Sequence, residues 1–138
     1  MTIQSLEKKT GEFFLRHWAN TGLSIPEWQC WDDFLHAPVP SYNLGGCYAL
    51  FQGSSLIYVG SGISRGSGRY RDQGISTRMM KHVYSTDRDK PGMYKLCDKW
   101  AAVTAIFTIG FPNECAYLAV ALETYLIREL GPPRNRRL

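Results

Sequence analysis

Apolar positions along the chain follow two different periods. Residues 3–20 place Ile3, Leu6, Phe13, Phe14, His17 and Trp18 at helical spacing, and Gly22 suits a helix end, so a helix is predicted there. "SIPEW" reads as a capping box, Ser24 with Glu27, opening a second helix with Trp28, Trp31 and Leu35 on one face. The prolines of "APVP" (37–40) then make a stiff break. Two strand-like runs, 46–51 and 56–60, flank a turn containing Gly53, which is a hairpin signal. After the Gly/Arg-rich stretch "SGISRGSGRYRDQG", helical spacing returns at 75–84, with a further short helix expected near 93–100. Residues 102–111 are β-branched and apolar, hence a buried strand, and 114–130 form an Ala/Leu-rich helix ended by "GPP".

The order from residue 45 onward is β-β-α-β-α. The expected fold class is therefore α+β, a small three-stranded antiparallel sheet flanked by helices. Residues 1–44 form an N-terminal helical extension, packed on the 45–138 body or at a dimer contact. A chain of 138 residues fits one domain with a single core.

Charge is unevenly placed. Residues 1–45 hold three Lys/Arg against five Asp/Glu, net −2, and residues 46–138 hold thirteen against seven, net +6. A polyanionic partner is expected for the body only. Residues 24–36 carry three acids and no Lys or Arg, the wrong sign for a helix entering a DNA groove. Cys30, Cys47, Cys97 and Cys115 are scattered without a C-x-x-C pair, so they read as buried reduced thiols and not as a zinc site. "MTIQSLEKKT" lacks a long apolar core and no apolar run nears the roughly 20 residues of a membrane span, so a cytoplasmic protein with no membrane partner is expected.

Four features carry candidate chemistry. Tyr48 and Tyr58 sit ten positions apart in the two hairpin strands. They share a face only if the loop is odd in length, as with 52–54 or 51–55. Arg78 and His82 are four apart and share a helix face with Lys81, which by itself reads as a solvated basic face. Glu123 has Ala116, Ala119, Val120, Leu126, Ile127 and Leu130 as helical neighbours, all apolar. Such a carboxylate pairs with a cation (Arg, Lys or a metal) or sits at an edge reaching water. Asn135 lies among Arg134, Arg136 and Arg137 in the basic tail, where its amide could fix a loop.

Together these residues resemble the GIY-YIG nuclease family. Gly46-Cys47-Tyr48 stands where the family has Gly-Ile-Tyr, and Tyr58-Val59-Gly60 where it has Tyr-Ile-Gly. Arg78, His82, Glu123 and Asn135 match its later motif positions, and the match spans 45–138. Ser61 stands where some repair-type members carry a lysine, and the loop between Gly60 and Arg78 is longer than in compact members.

The resemblance implies a metal-dependent endonuclease acting on DNA, with RNA the other polynucleotide to test. It implies a tyrosine general base, with Tyr48 favoured, Tyr58 and His82 tuning it or placing water, and the reverse assignment of the tyrosines open. Arg78 would clamp the scissile phosphate, Glu123 would bind one Mg²⁺ (or Mn²⁺), and Asn135 closes the set. Arg65, Arg69, Arg71, Lys81, Arg134, Arg136 and Arg137 are the candidate phosphate contacts, giving affinity without sequence information. Specificity would be low, directed by substrate structure, or supplied by a protein partner or a second copy of the chain. The alternative is a catalytically silent nucleic-acid-binding module on the same fold.

Overall fold

The structure is a computed structural model and describes residues 1–35, 40, 44–63, 74–86 and 94–135. Its centre is a four-stranded antiparallel sheet in the order β1-β6-β2-β3, formed by β1 (Gln29–Cys30), β2 (Gly45–Gln52), β3 (Ser55–Gly62) and β6 (Ala105–Phe111). A separate two-stranded ribbon pairs β4 (Tyr84–Thr86) with β5 (Tyr94–Leu96). Three helices complete the chain: α1 (Ile3–His17), α2 (Gly74–His82) and α3 (Tyr117–Leu130).

Alternation along β2 feeds two cores. Cys47, Ala49 and Phe51 point to one side, where they pack with Leu6, Phe13 and Phe14 of α1 and Leu122 and Leu126 of α3. Tyr48 and Leu50 point to the other, with Ile75 and Met79 of α2 and Trp100. An antiparallel strand covered on both faces has no solvent side to keep polar. This is why "GGCYALF" is buried throughout. Truncating Leu122 or Leu126 to alanine is expected to cost about 2–5 kcal/mol.

The chain ends of the helices follow local chemistry. The Thr2 hydroxyl accepts the Ser5 N–H and the Ser5 hydroxyl accepts the Thr2 N–H, each at 3.4 Å, a reciprocal cap for α1. At the far end, α3 stops at Gly131, which adopts φ 56°, a left-handed conformation open to glycine.

Three expectations are corrected. The sheet has four strands because the N-terminal segment contributes β1. Among the described residues of the expected 24–36 helix, 24–35, no helix forms; the segment is irregular, joins the sheet edge through β1 and turns at 32–35. Trp28 packs in the α1/α3 layer, its Nε1–H donating to Thr10 Oγ1 at 2.9 Å, while Trp31 packs in the opposite layer. A separation of three puts both on one side of a helix but on opposite sides of an extended chain. Near 93–100 the short helix is replaced by β5 and a single 3₁₀ turn, Asp98–Trp100.

Of the cysteines, Cys47 and Cys115 are buried, Cys97 is half-buried and Cys30 is exposed; all four are free thiols. The expectation of burial therefore fails for Cys30, which lies on the outermost strand. Among the described residues no helix is long and apolar enough to cross a membrane.

Candidate active site

The two tyrosines share a face, though not by the expected odd loop. Gln52 pairs with Ser55 across a two-residue turn, and Phe51 pairs with Leu56. The register then shifts: Leu50 pairs with Tyr58 and Tyr48 with Gly60, leaving Ile57 as one extra residue in β3. A two-residue turn alone would send Tyr58 to the face opposite Tyr48. The bulge restores the parity. Ile57 and Tyr58 consequently both pack in the cluster that contains Tyr48, and the two tyrosine ring centroids lie 6.1 Å apart.

Glycines make room for this arrangement. A Cβ on Gly60 would overlap the Tyr48 ring and hydroxyl, so the ring lies directly on the β3 backbone. A Cβ on Gly62 would meet the Gly74 carbonyl and Arg78 Cβ. The start of α2 thereby approaches β3 closely enough to bring Arg78 and His82 over the tyrosines.

Tyr48 is fully buried, and its hydroxyl lies 2.7 Å from His82 Nδ1. Burial raises its pKa well above the usual phenol value, with the neighbouring Tyr58 adding to the rise and Arg78 opposing it. Tyr58 is half-buried, and its pKa is also raised by burial, with the Arg78 charge pulling it back. Each tyrosine also acts on the other's shift. Burial, then the positive charges of Arg78 and Lys99, pull His82 down to about 4, so its imidazole is neutral at pH 7.

Tyr58, Arg78, His82, Lys99, Trp100, Ile127, Arg134 and Asn135 line one cleft of about 440 Å³. Tyr48 lies beneath it. Trp100 forms the floor, with its ring 4.8 Å from Tyr58 and 5.6 Å from His82, and its Nε1–H donates to the His82 carbonyl at 3.2 Å.

Asn135 does fix a loop. Its Oδ1 accepts the Val59 N–H at 2.9 Å and its Nδ2 donates to the Val59 carbonyl at 2.8 Å. With the Arg134 N–H donating to the Ile57 carbonyl at 2.9 Å, the tail runs along the outer edge of β3 beside the bulge. Asn135 is thus a positioning residue for the strand that carries Tyr58.

Glu123 lies at the edge of the α3 stripe. Ala119, Leu122 and Leu126 are buried, but Val120, one turn before Glu123, is 41% exposed. Glu123 itself is half-buried, and its Oε1 accepts the Ser61 hydroxyl at 2.7 Å. Among the described residues it has no Lys or Arg partner; the ion pairs there join Lys9 to Glu12 and Glu129. Its charge reaches Tyr58, and Ile127 places the next turn of α3 in the cleft wall.

A hard divalent cation fits this donor. Mg²⁺ binds through one or two carboxylates and retains waters, whereas a structural zinc site needs four protein ligands. Among the described residues no group of three or more His, Cys, Asp or Glu gathers.

Of the candidate phosphate contacts, Arg134 is exposed at the cleft wall. Arg65, Arg69, Arg71, Arg136 and Arg137, and the side chain of Lys81, lie outside the described residues. Sequence reading missed Lys99 and Trp100, whose role depends on a 3₁₀ turn with no periodic signature. It also missed the Ser61–Glu123 contact; the signal available was a hydroxyl immediately after Tyr58-Val59-Gly60.

Compared with models of known protein families, with characterised proteins and with solved structures, the chain matches none.

Proposed function

We propose that the chain is a metal-dependent endonuclease of the GIY-YIG type, hydrolysing phosphodiester bonds in DNA. One observation carries this reading: Tyr58 of β3, Arg78 and His82 of α2, and Asn135 of the tail, three separate segments, line a single cleft, with Tyr48 beneath it. The Ser61–Glu123 pair adjoins them.

Arg78 is the phosphate clamp. Its guanidinium stays charged at any working pH, is exposed at the cleft, and can fork onto two phosphate oxygens. Glu123 is the residue that would hold Mg²⁺ or Mn²⁺, one ion per site, and a bound ion of that kind relieves charge developing on phosphate oxygen. Ser61 orients that carboxylate through Oε1.

Proton removal from the attacking water falls to the tyrosines and His82. Both phenols are held above their ordinary pKa, so a lasting phenolate on either is disfavoured. A relay avoids that species. Tyr58, facing the cleft, accepts the water proton as it donates its own to Tyr48, and Tyr48 donates to His82 Nδ1. This uses the neutral imidazole with its proton on Nε2. Bound phosphate would offset the Arg78 charge that depresses His82, making the imidazole a better acceptor when substrate is present.

The test is incubation of plasmid, single-stranded and branched DNA, and RNA, with Mg²⁺ or Mn²⁺. EDTA and Glu123→Ala serve as controls. Cutting of DNA that both controls abolish is the expected result. Cutting that survives both refutes the mechanism, and binding without cutting assigns the fold to a silent binding module.

A further inference from the structure

The cleft carries more positive charge than one phosphate clamp requires. Arg134 and Lys99 face the same indole: the guanidinium carbon lies 5.0 Å and the ammonium nitrogen 5.3 Å from the Trp100 ring centroid. They are also tied together, since the Arg134 guanidinium donates to the Lys99 carbonyl at 2.9 Å. The Arg134 backbone is anchored to Ile57 and Trp100 is anchored to His82. Two cations are therefore held on one ring, with Arg78 across the same cleft, and no Asp or Glu is among the described residues that line it.

Like charges gathered this way repel. Cation–π attraction at exposed contacts offsets only part of that. A bound anion completes the balance, and the cations are carried by three different segments of the cleft lining. Arg78 comes from α2, beside the tyrosines; Lys99 comes from the 3₁₀ turn and Arg134 from the tail, and both stand at the Trp100 ring.

We propose that Lys99 and Arg134, mounted on Trp100, form a second phosphate subsite that holds the phosphodiester next to the one at Arg78. The proposal rests on the nuclease reading for the identity of the anion, a DNA strand. It assigns binding to Lys99, and to Arg134 a defined place in the cleft in place of diffuse tail charge. The subsite fixes the strand on either side of the reacting phosphate, which turns electrostatic attachment into alignment.

The experiment measures binding of a short DNA duplex to the full chain in EDTA, by fluorescence anisotropy, over a series of salt concentrations. Lys99→Gln with Arg134→Gln is compared with a charge-matched control, Lys8→Gln with Arg16→Gln, on exposed positions of α1. The cleft pair is expected to weaken binding about tenfold at low salt and to flatten the log–log salt slope by about 1, with a much smaller change for the control. Arg134→Lys, which keeps the charge, is expected to retain the slope.

Equal losses from the two pairs, or an unchanged slope, would overturn the subsite. So would a slope lost equally in Arg134→Lys, which assigns the effect to packing, or a wild-type chain that does not bind the duplex. Because no cutting is needed, failure of the cleavage reading is seen separately. A chain that binds with this dependence but never cuts with Mg²⁺ keeps the subsite and loses the nuclease.

Discussion

The Tyr48 hydroxyl and His82 Nδ1 lie 2.7 Å apart, joining a fully buried phenol to an imidazole that lines the cleft. The pair gives the buried phenol an acceptor that its neighbours on β2 and β6 cannot supply, because their backbone groups are spent on the sheet. Removing the hydroxyl while keeping the ring isolates that connection. Tyr48→Phe is expected to fold, since the ring still fills its place over Gly60, and to lose activity by about 10²–10³-fold in the range typical of a lost proton-transfer group. Cleavage rates within a few-fold of wild type would remove Tyr48 from the relay.

His82 gives the site a pH signature. Its folded pKa of about 4 lies below the ordinary 6.5. Above pH 6.5 the imidazole is neutral in both folded and unfolded chains and contributes nothing to the pH dependence. Between 6.5 and about 4 the unfolded chain takes up a proton that the folded chain does not, so stability falls with falling pH across that window. Urea midpoints at pH 7 and pH 5 measure this, and His82→Asn is expected to flatten the difference. The acid limb of kcat/KM, which reports the free enzyme, is expected below the usual histidine range; a limb at or above 6.5 contradicts the assignment.

Gly60→Ala tests the packing of Tyr48 on β3. The added methyl occupies the position of the Tyr48 ring, and the substitution is expected to cost about 1–3 kcal/mol. Pairing it with Tyr48→Leu, whose side chain is shorter, is expected to recover part of that loss in a double-mutant cycle. Strict additivity of the two changes would show that the contact does not govern the site.

Asn135→Ala removes both hydrogen bonds to Val59 and is expected to destabilise the chain by about 1–2 kcal/mol. Amide exchange at Val59 should quicken more than exchange in β2. Cleavage should fall because the strand carrying Tyr58 loosens, with no change in its pH profile. A shifted profile would instead place Asn135 among the proton-transfer groups.

Periodicity was sufficient for α1 and α3, where burial recurs at one spacing, and the hairpin was legible from two apolar runs around a Gly53 turn. It failed at 24–36 because Trp28 and Trp31 serve two different layers, and their spacing imitates one face of a helix. It also could not reveal the Ile57 bulge, since an unpaired residue in an apolar strand has no mark of its own. Tyr58, Arg78, His82 and Asn135 were legible as candidates only through their shared order along the chain, since each alone read as a strand aromatic, a basic face or a basic tail; one cleft gathers them. Glu123 stood out by itself, but its edge position depends on how α3 is rotated, which apolar spacing fixes only to within a residue. Lys99, on a turn between elements, had nothing to set it apart.

The outer side of β3 has a further bearing on how copies of the chain meet. The Leu56 N–H donates to the Met1 carbonyl, the Ile57 carbonyl accepts from Arg134, and both backbone groups of Val59 are taken by Asn135. Segments from opposite ends of the chain thus occupy the hydrogen-bonding groups that an exposed border strand offers to strangers. Intermolecular sheet extension and ordered aggregation are blocked along that stretch, next to the residues proposed to cut DNA. A dimer using that side of the molecule would therefore have to form through side chains and not through backbone pairing.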